Sequence, residues 1–103
     1  MQNEMSFENA TLITGSPNGF AVMVFDDALI DIVSNHAFEE LNSETQKLGV
    51  GEIRVSSQKF LVNGPSASAI VFGDAAFAWV VAEVLAFNLD GDTLEEYTVS
   101  KLD

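Results

Sequence analysis

An almost unbroken apolar segment, FGDAAFAWVVAEVLAFNLDGD at residues 72–92, constrains the fold of this chain more than any other feature. A membrane-spanning helix needs about 20 consecutive apolar residues, and Asp74 and Glu83 interrupt this run, so we do not expect it to cross a membrane. A segment that is apolar on nearly all sides belongs in a core or in an interface between subunits. We expect residues 69–89 to be packed away from water. The candidate interface residues are Phe77, Trp79, Val81 and Phe87.

Two secondary structures fit residues 74–88. In a helix, the alanines at 75, 78, 82 and 86 form a smooth strip that allows close approach to a sheet, and Asp74 caps the start. In a strand, large side chains from Phe77 to Phe87 share one face and Asp90-Gly91 forms a hairpin turn. Fifteen residues is a common length for a helix and a long one for a strand. A helix is therefore predicted, with a long strand as the alternative.

The amino-terminal half predicts a hairpin followed by helix. GSPNG at residues 15–19 separates strands near 10–14 and 20–25, because Gly, Asn and Pro favour a tight turn. A helix follows, with Asp26 able to cap its start and Gly49 able to close its end. Ser34 could begin a second helix within this stretch. The apolar residues spaced for one helical stripe are Ile30, Val33, Ala37, Leu41 and Leu48.

Residues 52–62 return to β character, and residues 67–72 form another strand after the turn NGPS. At 103 residues the chain is expected to form one domain, 1–103. The predicted fold class is α+β, with a small, mostly antiparallel sheet and two helices on one of its faces. The predicted order of elements is β-β-α-β-β-α-β.

Sixteen acids and four bases give a formal charge of −12, and the first 46 residues contain no base. Direct binding to nucleic acid is disfavoured because it requires Lys and Arg to neutralise phosphates, and an anionic membrane would repel the chain. A basic surface of a partner protein would be attracted and steered. No cysteine is present and the amino terminus has no secretory signal pattern, so we expect a cytoplasmic protein, in the host cytoplasm if it is phage-encoded.

Acids on the predicted first helix suggest a surface that imitates nucleic acid. Asp27, Asp31 and Glu39 share its outward half, over about 18 Å. Duplex DNA carries roughly ten charges over that length, so other acids would have to join the same side. The candidate partner-binding residues are Asp27, Asp31, Glu39, Glu40, Glu52, Glu95 and Glu96. An acidic face that only keeps the chain soluble, or that suits a saline environment, is the alternative.

No pattern indicates catalysis, a metal site or a cofactor. His36 is the only histidine, and the adjacent Ser34 and Asn35 do not face it on a helix. The segment beginning at Asn88 resembles a calcium loop, but Thr93 and Val99 occupy the positions that need Gly and Glu. We therefore expect no enzyme. The third hypothesis is a small enzyme or ligand-binding domain that uses a pocket beside Trp79, His36 and Tyr97.

The favoured function is a small, non-catalytic inhibitor or antagonist that docks on a basic, often nucleic-acid-binding, surface of another protein. In composition the chain resembles small phage-encoded counter-defence proteins and immunity proteins, which have this acidic profile. The alternative is a structural subunit, of an oligomer or a virion, that uses residues 69–89 as its interface. A homodimer belongs to this alternative.

Overall fold

The structure is a computed structural model that describes residues 10–14, 20–38, 44–47 and 58–102, with backbone alone for 44–47. Its elements, in chain order, are β1 (Thr11–Thr14), β2 (Ala21–Val24), α1 (Ala28–His36), β3 (Glu44–Lys47), β4 (Gln58–Asn63), β5 (Ser68–Gly73), α2 (Ala75–Asn88) and β6 (Thr98–Leu102). A single 3-10 turn, Leu94–Glu96, precedes β6.

The described strands form one six-stranded sheet in the order β3-β1-β2-β5-β4-β6, and every neighbouring pair is antiparallel. The α+β class and the predicted order of strands and helices are confirmed. One strand, β3, is additional. It pairs with β1, so that Thr11 lies opposite Lys47 and Thr14 lies opposite Glu44.

The apolar run at 74–88 is a helix. Asp74 caps it, because its Oδ1 accepts a hydrogen bond of 2.8 Å from the backbone N–H of Phe77. At the other end, Asn88 Nδ2 donates to the carbonyl of Val84 at 2.7 Å, which satisfies one carbonyl of the last turn. The small residues Ala78, Ala82 and Ala86 are buried, as the alanine spacing predicted.

The first helix is shorter than predicted. It begins beside Asp26, whose Oδ1 accepts from the backbone N–H of Ala28 at 2.9 Å, and it ends at His36. Residues 44–47, predicted to be helical, form a strand instead. The segment ETQK pairs with the otherwise open edge of β1. A polar sequence in an edge strand discourages pairing with strands of other molecules. The predicted apolar stripe is also rotated, since Leu29 and Val33 are buried whereas Ile30 is half-buried.

Two apolar clusters hold the sheet. The larger one lies between the sheet and both helices, where Val33 of α1 and Val81 and Leu85 of α2 meet strand residues such as Val22 and Val71. Side chains on the opposite face of the strands form the second cluster: Ala10, Ala21, Met23, Ile70 and Phe72. Both faces of the central strands are therefore apolar, which explains why all four residues of β2 are buried.

Neither of the two α-helices in the described ranges has the length and apolar character needed to cross a membrane.

Candidate functional site: the acidic end of the sheet

Strand register brings separated parts of the chain to one end of the sheet. Val24, the last residue of β2, lies opposite Ala69 near the start of β5. Asn63, the last residue of β4, lies opposite both Ser68 of β5 and Thr98 of β6. The β2–α1 junction, the β4–β5 turn and the start of β6 therefore share this end. Because α2 starts after β5 at the far end and runs back, residues 89–97 reach it too.

Carboxylates accumulate at this place. Within the described ranges, six acids belong to these connections, and we call them the acidic end: Asp26, Asp27, Asp90, Asp92, Glu95 and Glu96. All except the half-buried Asp92 are exposed. Three strand spacings separate β2 from β6, so the patch is about 15 Å wide. Neighbouring charges therefore add their fields at physiological salt, where the screening length is about 8 Å, whereas charges at opposite edges of the patch are largely screened from each other.

The lysines whose side chains are described lie elsewhere. Lys59 is near the start of β4, opposite Leu102, and Lys101 is near the end of β6, opposite Phe60. Both positions are in the half of the sheet away from the acidic end. These two lysines are therefore not placed to neutralise the patch, whereas the backbone register puts Lys47 of β3, opposite Thr11, at the same end of the sheet as Val24.

A hydrogen-bonded clasp fixes the geometry of the acidic end. The Tyr97 hydroxyl donates to Asp92 Oδ2 at 2.6 Å, and the Ser66 hydroxyl donates to Asp92 Oδ1 at 2.7 Å. The backbone N–H of Ser66 also donates to Asp92 Oδ2, at 3.3 Å. One carboxylate thus ties the β4–β5 turn to the residue that immediately precedes β6. Gly64 completes the clasp, because the Tyr97 ring occupies the space where a Cβ would stand.

These contacts shift two pKa values in opposite directions. The hydrogen bond from Tyr97, and then that from Ser66, hold the pKa of Asp92 below its usual value. Burial of the ring, followed by the hydrogen bond to Asp92, raises the pKa of the Tyr97 hydroxyl well above its usual value of 10.0. At neutral pH the clasp therefore joins an ionised carboxylate to a protonated phenol.

A capping box shapes the turn before β6. The backbone N–H of Thr93 donates to Glu96 Oε1 at 3.1 Å, and the Thr93 hydroxyl donates to the same oxygen at 3.0 Å. Glu96 is thus engaged within the turn, whereas the neighbouring Glu95 is exposed. Of these two candidate partner-binding residues, Glu96 has a structural task as well.

The structure places only some of the predicted partner-binding residues at the acidic end. Asp27, Glu95 and Glu96 lie at the acidic end, and the exposed Asp31 is one helical turn farther along α1. Three others lie outside the described residues: Glu39, Glu40 and Glu52. Sequence reasoning missed Asp26, Asp90 and Asp92 as members of the patch. The turn NLDGDTLEE contained the signal, because its acids follow the helix directly and stay near its end.

The predicted interface residues differ in how far they are exposed to solvent. Val81 is wholly buried in the core, on the inner face of α2. Phe77 is half-buried against Phe20 and Phe38, with ring centroids 5.1 and 5.5 Å apart. Trp79 is 43% exposed and Phe87 is 76% exposed. Val80, which was not predicted, is 42% exposed on the same outer face of α2.

An open groove of about 320 Å³ lies at the acidic end. Phe25, Asp26 and Leu29 form one wall, and residues 63–68 of the β4–β5 turn form the other. Its residues do not include Trp79, His36 or Tyr97, the three expected to surround a ligand pocket. Within the described residues, no group of three or more His, Cys, Asp or Glu side chains is arranged to hold a metal ion.

Comparisons with protein-family models, with curated proteins and with solved structures found no match for this chain.

Proposed function

We propose that this protein is a small, non-catalytic binding protein whose acidic end docks on a basic surface of a partner protein. The observation that supports this proposal is the convergence of Asp26 and Asp27 with four acids from residues 90–96 at one end of the sheet. A chain that needed acids only for solubility would gain as much from an even distribution, without the repulsion between neighbours.

The size of the patch suits protein recognition. A standard interface covers about 800 Å² on each partner, and a patch about 15 Å wide fits within that area. Over 15 Å, duplex DNA carries roughly nine phosphate charges. Six carboxylates across the same distance approach that density. A nucleic-acid-binding surface is therefore the kind of basic surface we propose, and occupying it would make the protein an antagonist.

A matched pair of glutamate variants tests whether charge acts locally. Glu95 belongs to the acidic end, whereas Glu83 is exposed on α2, about 8 Å before the end of the helix. Binding of a labelled lysine-rich peptide is measured by fluorescence anisotropy. We expect Glu95→Gln to lower affinity about three- to fivefold at about 50 mM salt, and Glu83→Gln to lower it less than about twofold.

Equal effects of the two variants would contradict the proposal, because the peptide would then sense only the net charge. Affinity for the peptide should also fall steeply between about 50 and about 500 mM salt. An affinity for the peptide that does not change with salt would also contradict the proposal.

The outer face of α2 favours a second candidate function, a subunit of a homo-oligomer. Trp79, Val80 and Phe87 are exposed there beside Glu83, and adjoining exposed apolar side chains commonly mark protein interfaces. Two copies would each carry a charge of −12, so self-association should strengthen as salt is added. Sedimentation velocity at low and high salt distinguishes the candidates, because basic-partner binding changes in the opposite direction. A monomer at both salt concentrations removes the second candidate.

A further inference from the structure

The groove at the acidic end has a size suited to a side chain. Its volume of about 320 Å³ is at the lower limit of sites for small-molecule ligands, which span about 300–1,000 Å³. It is open along the surface between the β2–α1 junction and the β4–β5 turn. A protruding side chain of a docked protein can therefore enter without any movement of the walls.

The chemistry of the walls selects a long cation. Phe25 is 37% exposed, and together with Leu29 and Ala67 it offers apolar contact for an alkyl stem. Asp26 adds a carboxylate at the same wall, and none of the described residues that line the groove is Lys, Arg or His. Anions are disfavoured by the six carboxylates of the acidic end. Metal ions lack a group of three ligating side chains in the described part of the chain.

Arginine meets these conditions better than lysine. Its planar guanidinium stacks on an aromatic ring while donating hydrogen bonds to a carboxylate, and it is more weakly hydrated than an ammonium group. Phe25 and Asp26 are consecutive residues that supply the ring and the carboxylate. We propose that the groove receives one arginine side chain of the basic partner, with its stem on Leu29 and Ala67 and its guanidinium stacked on Phe25 and hydrogen-bonded to Asp26. This inference rests on the proposed function, since it names the anchoring side chain of that partner.

The test uses two probes with equal charge, N-acetyl-arginine amide and N-acetyl-lysine amide, titrated into the isotopically labelled protein. Two-dimensional NMR spectra follow the backbone amides. We expect saturable shifts centred on Phe25, Asp26 and residues 64–67 at millimolar arginine probe, with at least about threefold weaker binding of the lysine probe. Shifts that spread over the whole acidic end, or equal affinities for the two probes, would overturn the proposal.

Asp26→Asn and Asp90→Asn form the matched variant pair. Both acids are exposed members of the acidic end, but only Asp26 lines the groove. The asparagine oxygen can still accept the hydrogen bond from Ala28 that starts α1. Arginine-probe affinity should fall about fivefold in Asp26→Asn and less than twofold in Asp90→Asn. Equal losses would refute an anchoring role for the groove.

Phe25→Leu provides an independent check, because it keeps an apolar wall but removes the aromatic ring. We expect about a two- to fivefold loss of arginine-probe affinity and little change for the lysine probe.

Failure of the groove proposal can be distinguished from failure of the proposed function. If the groove proposal fails but the acidic end still binds basic proteins, Glu95→Gln and Glu83→Gln will continue to differ with the lysine-rich peptide. If the proposed function fails, those two variants will behave alike.

Discussion

Replacing Val81 by alanine, with Val80→Ala as its control, measures how α2 contributes to the fold. The two valines are adjacent on the same helix, yet Val81 is wholly buried and Val80 is 42% exposed. Both substitutions remove the same two methyl groups. Both also gain the same helix propensity, about 0.5 kcal/mol, because alanine favours the helix more than valine does. The difference between the variants therefore isolates burial.

The expected magnitudes follow from these surroundings. Removing two buried methyl groups costs about 1.6 kcal/mol in transfer free energy, and the cavity left beside Leu85 and the sheet adds up to about 1 kcal/mol. After the gain in helix propensity, we expect Val81→Ala to lower the free energy of unfolding by about 2 kcal/mol. Val80 keeps much of its surface in water, so Val80→Ala should change that free energy by less than about 0.5 kcal/mol.

Thermal unfolding followed by circular dichroism provides the measurement. A domain of this size should lose about 8–16 °C in Tm with Val81→Ala and only a few degrees with Val80→Ala. Similar losses in both variants would refute the reasoning, because residue 80 would then be as well packed as residue 81. A loss confined to Val80→Ala would show that the opposite face of α2 meets the core.

Two further predictions concern the clasp. Tyr97→Phe removes the hydrogen bond that is the main cause of the lowered pKa of Asp92. Carboxyl NMR titration of this variant should find the pKa of Asp92 shifted toward its ordinary value. A pKa equal to that of the unaltered protein would contradict this prediction. Because the pKa of Asp92 is lower in the folded state, the ionised carboxylate stabilises the fold above about pH 4, and this stabilisation is lost as the pH falls through the folded-state pKa. In denaturant titrations, the difference in free energy of unfolding between the unaltered protein and Tyr97→Phe should therefore shrink at acidic pH. The raised pKa of Tyr97 has the opposite sign: its stabilisation is complete below about pH 10 and disappears at more alkaline pH. Gly64→Ala places a Cβ in the space that the Tyr97 ring occupies and should lower the free energy of unfolding by about 1–3 kcal/mol in denaturant titrations. An unchanged free energy would mean that the ring can move aside. Gly91→Ala is a useful comparison, because its cost should come from the backbone φ of +86° with open space around the Cβ.

The second helix could be predicted from sequence because its determinants are local. Asp74 lies at the position from which a carboxylate reaches the N–H of Phe77, and the alanine spacing identifies the face that approaches the sheet. Which large side chains remain outside was harder to predict. The helix carries apolar residues on nearly all of its faces, so its sequence does not distinguish the buried Val81 from the exposed Val80.

The strand at residues 44–47 could not be predicted, because its pairing with a distant segment decides it. Nothing within Glu44–Lys47 excludes a helix, and Glu and Lys favour one. The segment becomes a strand by pairing with β1, 30 to 36 residues earlier in the chain. Such long-range pairing overrides local propensity. The predicted α+β class was insensitive to this error, since an additional edge strand leaves the order of the other elements unchanged.

The acidic end was hidden for a related reason, and this bears on its function. Asp26 and Asp92 are 66 residues apart, and only the register of β2, β5, β4 and β6 brings their connections to one side. Grouping like charges there opposes folding through mutual repulsion, and Lys59 and Lys101 lie in the other half of the sheet. Asp92 is held by hydroxyl and amide donors, which fix the carboxylate without cancelling its charge. A surface that is both rigid and electrostatically costly is difficult to explain by solubility alone. The binding to a positively charged partner that we propose would relieve this repulsion.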